Sequence, residues 1–127
     1  MLLLLIAVGG ALGSVAPYLV DGWVQANAGA TFPWGTLVVN VTGSLLLAFL
    51  VRWVEGVAAP SEWRGFLALG FCGAYPTFST FSYKTAGLLQ GGQLLRTAGY
   101  IGGSVLLSLP GVLVGFRVAA MVLGARG

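Results

Sequence analysis

The chain has 127 residues, of which 57% are hydrophobic and only 7% charged, where soluble domains carry about 25% charged residues. That composition cannot cover a water-facing surface, so it excludes a soluble enzyme and a disordered tail, and the single cysteine, Cys72, leaves no disulfide scaffold within the chain. There is no histidine, and the net charge of +3 comes from scattered cations, so the usual acid/base and metal-ligand sets are missing and no nucleic-acid patch forms.

Four apolar segments lie between the charges: Leu2 to Val20, Gly22 to Val51, Gly65 to Tyr83 and Thr97 to Phe116. As a helix, a segment of about 19 residues reaches about 28 Å, close to a hydrocarbon core of about 30 Å. The expectation is one all-α unit over residues 1–127 with four transmembrane helices. The opening MLLLLIAVGG lacks the basic start of a signal peptide and reads as the first span. Gly9/Gly13, Gly99/Gly103 and Gly111/Gly115 are GxxxG pairs, which allow close helix contact. The second segment is too long for one helix and splits at Ala28 to Pro33, with a new helix beginning near Trp34. Trp23, Trp34, Trp53 and Trp63 stand near span ends, at headgroup level. If the spans alternate, Arg52, Arg64, Arg117 and Arg126 share the side of the termini and Lys84 and Arg96 face the other. So small a bias permits insertion in either direction.

The second and fourth segments carry polar stripes. Thr36, Asn40 and Ser44 recur every four residues, as do Tyr100, Ser104 and Ser108, so each set lines one helical face. Ser and Thr can bond back to their own helix. Asn40 cannot satisfy its amide locally, and at that depth it needs protein around it.

The third segment contains Gly70-Phe-Cys-Gly-Ala-Tyr-Pro-Thr-Phe-Ser-Thr-Phe-Ser82. Pro76 removes a helical hydrogen bond near mid-membrane and biases Tyr75 away from helical geometry. Two readings stay open: a broken helix whose freed carbonyls meet protein, water or an ion, or a kinked helix that recovers the lost bonds through Ser79 or Thr77. Beyond it, Phe78 and Phe81 share a face, with Thr77, Thr80 and Ser82 interleaved. Phenyl edges are positive and can face an anion, although aromatics in membrane helices also serve as plain packing. Together the stripes and rings suit a small, dehydrated anion.

Phe32-Pro-Trp-Gly-Thr-Leu-Val-Val-Asn-Val-Thr-Gly-Ser44, then Gly70-Phe-Cys-Gly73 and Thr77-Phe-Ser-Thr-Phe-Ser82, resemble the Fluc (CrcB) fluoride channels, and Gly9-Gly-Ala-Leu-Gly13 fits as well. The resemblance implies four helices with the third broken near its middle, an antiparallel dual-topology dimer in a microbial inner or plasma membrane, two fluoride pores and a central sodium ion. It assigns Phe78 and Phe81 to an aromatic box that meets fluoride edge-on, and makes Asn40 a donor to fluoride. Thr80, Tyr100, Ser104 and Ser108 would form a polar track, with Ser79 near the ion path, and the carbonyls of Gly73 and Pro76 from both subunits would hold the sodium. The function implied is passive fluoride export across the lipid bilayer, as a homodimer or with a paralogous subunit.

Four positions depart from the pattern. Pro17 stands where the first span usually carries Arg, Ala74 and Pro76 replace a Gly and a Thr at the break, and Lys84 stands where the third span usually ends in Glu. These changes motivate an alternative, an accessory or weakly conducting half of a heterodimeric channel. A four-helix multidrug exporter would need a membrane-embedded carboxylate, and Asp21, Glu55 and Glu62 all fall in expected loops or span ends.

Overall fold

The computed structural model describes residues 1–29, 32–75 and 78–126, with side chains as far as Gly124. Every element among them is helical: α1 (Leu2–Ala28), α2 (Trp34–Gly56), a short α3 (Ser61–Arg64) running into a π-helical segment (Gly65–Cys72), α4 (Phe78–Gln90) and α5 (Leu94–Arg126). Three helices, α1, α2 and α5, are long and apolar enough to cross a membrane.

Small residues set the packing. A Cβ placed on Gly9 or Gly13 of α1 would run into the backbone of Phe66 or Phe71, and one on Gly70 would meet the Ile6 carbonyl at 2.7 Å. The α1 and π-helical backbones therefore touch directly. On the other side, Gly115 of α5 leaves no room for a Cβ against Leu45 and Ala48 of α2, and Gly103 faces Leu37. Contacts this close give dispersion contacts that apolar lipid cannot match. Partner numbers rise together in both interfaces, so α1 runs parallel to the π-helical segment and α2 runs parallel to α5. Val54, Cys72, Tyr100 and Ala119 are buried between these pairs, whereas outward residues such as Leu106 and Met121 are exposed apolar surface suited to lipid.

The helices outrun the apolar segments. α1 continues past Asp21 to Ala28, where Gln25 staples the turn into α2: its amide donates to the Phe32 carbonyl at 2.7 Å and its Oε1 accepts from the Gly35 N–H at 3.2 Å. α2 begins at Trp34 as expected, with Pro33 at its cap. α5 extends on both sides of the expected Thr97 to Phe116 segment. Between α4 and α5 the chain turns over Gly91 to Gln93, and Gly92 takes φ 73°, a left-handed conformation costly to residues with a Cβ.

Helical backbone ahead of Pro76 ends at Tyr75, whose amide donates to the Phe71 carbonyl at 3.0 Å. The Tyr75 ring stacks on Phe71, and its hydroxyl lies 3.3 Å from Thr42 Oγ1 of α2. Helix resumes at Phe78. The break or kink expected at Pro76 lies outside the described residues, as do Thr77 and the carbonyl assigned to Pro76.

Candidate functional site

Two cavities meet at Asn40. One, of about 330 Å³, is lined by Asn40, Ser44, Phe78, Phe81, Ser104, Val105, Ser108 and Leu109. The other, of about 290 Å³, is lined by residues that include Ser14, Pro17, Asp21, Thr36, Asn40, Tyr75 and Thr80. Because Asn40 borders both, it stands at the partition between them. α2 and α5 each supply a polar stripe, and α4 supplies the rings.

Phe78 and Phe81 lie with ring centroids 5.7 Å apart and planes inclined by 35°. Phe81 continues to Tyr100, 5.1 Å away, and Tyr100 meets Phe32 in a T-shaped contact with centroids 5.9 Å apart. Phe78 is 79% exposed in the single chain, so the pair is not sealed into the core of this chain.

The hydroxyls divide sharply. Ser44 donates to the Asn40 carbonyl at 2.8 Å, Thr42 to that of Val38 at 2.7 Å, Thr85 to that of Phe81 at 2.7 Å and Thr97 to that of Gln93 at 2.8 Å. Each is satisfied by its own helix or the residue just before it. Ser104 and Ser108 are not: their oxygens are buried without a hydrogen-bond partner among the described residues, and apart from its approach to Thr36 so is that of Tyr100. Buried hydroxyls without partners cost free energy of about 1–3 kcal/mol each unless something in the cavity pairs with them.

Of the residues singled out in the sequence, the structure brings Asn40, Phe78, Phe81, Ser104 and Ser108 to one cavity. Tyr100 packs against Phe81 with the two rings tilted by 34°. Thr80 lines the neighbouring cavity. Ser79 is exposed and is not among the residues lining either cavity, because it projects from a different side of α4 than Phe78 and Phe81. Gly73 is exposed at the end of the π-helical segment, leaving it accessible from outside the chain. No group of three or more His, Cys, Asp or Glu residues placed to hold a metal ion occurs among the described residues.

Two side chains were not anticipated as parts of one site. Lys84 donates to Asp21 Oδ2 at 3.2 Å and to Thr36 Oγ1. The pair lies beside the smaller cavity. Ser14, Tyr18, Asp21 and Gln25 recur at helical spacing along α1, and that stripe was the available signal.

Parallel apolar helices around an internal space lined by hydroxyls, an amide and aromatic rings define a small multi-pass membrane protein. The family described as CrcB-like protein, Camphor Resistance (CrcB), matches residues 4–116, and the chain belongs to that family. It is similar to proteins named fluoride-specific ion channel FluC. That of Nitrobacter winogradskyi is 45% identical over 125 residues, spanning 94% of this chain and 96% of the relative. That of a Thermus thermophilus strain is 44% identical over 121 residues, covering 95% of each chain, and that of Rhizobium meliloti is 48% identical over 117 residues, covering 91% of this chain and 94% of the relative.

Proposed function

We propose that the chain is a subunit of a fluoride-selective channel that lets fluoride leave the cell passively, and not an enzyme. The observation that carries this reading is the cavity in which the buried hydroxyls of Ser104 and Ser108 have no partner among the described residues, beside the Phe78–Phe81 pair and Asn40. Donors held in place without partners replace an anion's water shell at little reorganisation cost. Ring edges add positive potential, and the lining of that cavity holds no Lys or Arg, so the ion is not trapped.

The full assembly follows from the same reading. Four spans alternate, the third broken around Pro76, and two copies associate in opposite orientations, as the weak cation bias allows. Carbonyl oxygens suit a hard monovalent cation, and those of Gly73 and Pro76 from both copies would hold sodium, which supplies a positive charge at the centre of the dimer. The membrane is the inner or plasma membrane of a microbe.

Liposomes containing the purified chain alone test this. Fluoride efflux exceeding chloride efflux, and suppressed by Phe81→Ile, is expected; fluoride flux indifferent to that substitution contradicts the pore assignment. A second reading, a weakly conducting half of a heterodimer, draws on Pro17, which lines the smaller cavity where the family pattern has a cation. Robust flux from the chain alone removes it, whereas flux that appears only after Pro17→Arg with Lys84→Glu supports it.

A further inference from the structure

Lys84 is the only lysine in the chain, and its ammonium joins three helices: it rises from α4 and donates to Asp21 of α1 and to Thr36 in the first turn of α2. The Lys84 and Asp21 side chains remain 29% and 35% exposed, toward the turn that joins α1 to α2. Asp21 and Thr36 both line the smaller cavity, which continues to Asn40 and Thr80. The carboxylate is seated closely: a Cβ on Gly35 would collide with Asp21, and the start of α2 offers it the positive end of a helix dipole. Its Oδ1 has no hydrogen-bond partner among the described residues.

We propose that Lys84 is the anion-recruiting residue of this chain, standing in for the missing cation at position 17, and that Asp21 holds it in check by competing with the incoming anion. This rests on the channel reading above. An anion entering the smaller cavity meets Asp21 and Thr36 in its wall, and both of these hold the Lys84 ammonium, whose charge the carboxylate offsets. It displaces that carboxylate from Lys84, and Asn40 and Thr80 lie next along the cavity wall. Because the pair is partly solvated, exchanging one anionic partner for another costs much less than it would between fully buried groups. Asp21 therefore limits how strongly Lys84 draws anions in and also keeps a small anion from lodging there.

Fluoride efflux from liposomes and acylation of the lone lysine test the idea together. Asp21→Asn is expected to raise flux a few-fold to about tenfold at low ionic strength and subsaturating fluoride, since an uncompensated cation speeds anion capture. Lys84→Gln is expected to lower it by a similar factor. Both effects should fade near 1 M of an impermeant salt, where the screening length is about 3 Å. Mass spectrometry separates acylation of Lys84 from that of the N-terminus, and fluoride should slow the Lys84 reaction, more strongly in Asp21→Asn. If Asp21→Asn lowers flux as much as Lys84→Gln does and salt changes neither, the pair is a clamp on α4 and the proposal is overturned. Flux suppressed by Phe81→Ile, with Lys84 acylation indifferent to fluoride, overturns the proposal and leaves the channel reading standing. Absence of flux with Lys84 still protected by fluoride retires the channel reading and retains the recruiting site.

Discussion

Hydroxyl groups of the same chemical type have opposite fates in this chain, and the difference decides which of them can bind an ion. Ser44 is satisfied by the Asn40 carbonyl, whereas Ser104 and Ser108 are buried and unpaired among the described residues. Ser44→Ala should therefore change fluoride flux by less than about twofold. Ser104→Ala and Ser108→Ala should each lower it by about tenfold, because a hydrogen bond to an ion contributes about 1.5–3 kcal/mol. Four-residue spacing assigns these side chains to shared helical faces. It could not separate the two groups, because every serine in a helix has the same carbonyl four residues back, and tertiary packing selects the rotamer. The Asp21–Lys84 pair was hidden for another reason: its members are 63 positions apart, and each alone reads as a span end.

Helix boundaries follow charge less closely than expected. A lone Asp21 marks the expected end of the first span, yet α1 continues for about two further turns because Lys84 and the α2 start accommodate the carboxylate and Gln25 bonds the following turn. Arg117 likewise lies inside α5, next to Phe116, whose ring Arg52 of α2 approaches at 5.7 Å. The glycine pairs were legible as contact sites, but not their partners. Gly9 and Gly13 meet the π-helical segment while Gly115 meets α2. Thermal unfolding in detergent should register this specificity. Gly13→Leu or Gly115→Leu should lower stability by about 3 kcal/mol or more, since overpacking a close contact costs about 1–3 kcal/mol through side-chain and backbone shifts and here the obstacle is backbone. Gly22→Ala, with nothing within 4 Å of its Cβ, should be neutral or slightly stabilising.

At the scale of the molecule, the all-helical membrane architecture was legible from composition alone, because so few charges leave only spans and short connections. The third segment shows where that reasoning stops. Its proline and glycines announce an interruption without fixing its geometry, and the residues at which that interruption is expected lie outside the described ones. An exposed Phe78 and an exposed Gly73 are what a chain completed by a second copy would present. In native membranes, a tag on the C-terminus should accordingly be accessible from both sides in comparable amounts, and cross-linking in detergent should yield a dimer. A single orientation would exclude the antiparallel arrangement.

The central claim is that unpaired hydroxyls and ring edges, without a cation among them, carry a dehydrated fluoride. Fluoride efflux from liposomes holding the Ser104→Ala/Ser108→Ala variant tests it most directly, read beside the variant's thermal midpoint. The account predicts flux reduced by at least about tenfold with a midpoint unchanged or raised, because removing an unsatisfied buried hydroxyl relieves a cost of folding. Undiminished flux from a stably folded double variant would contradict it.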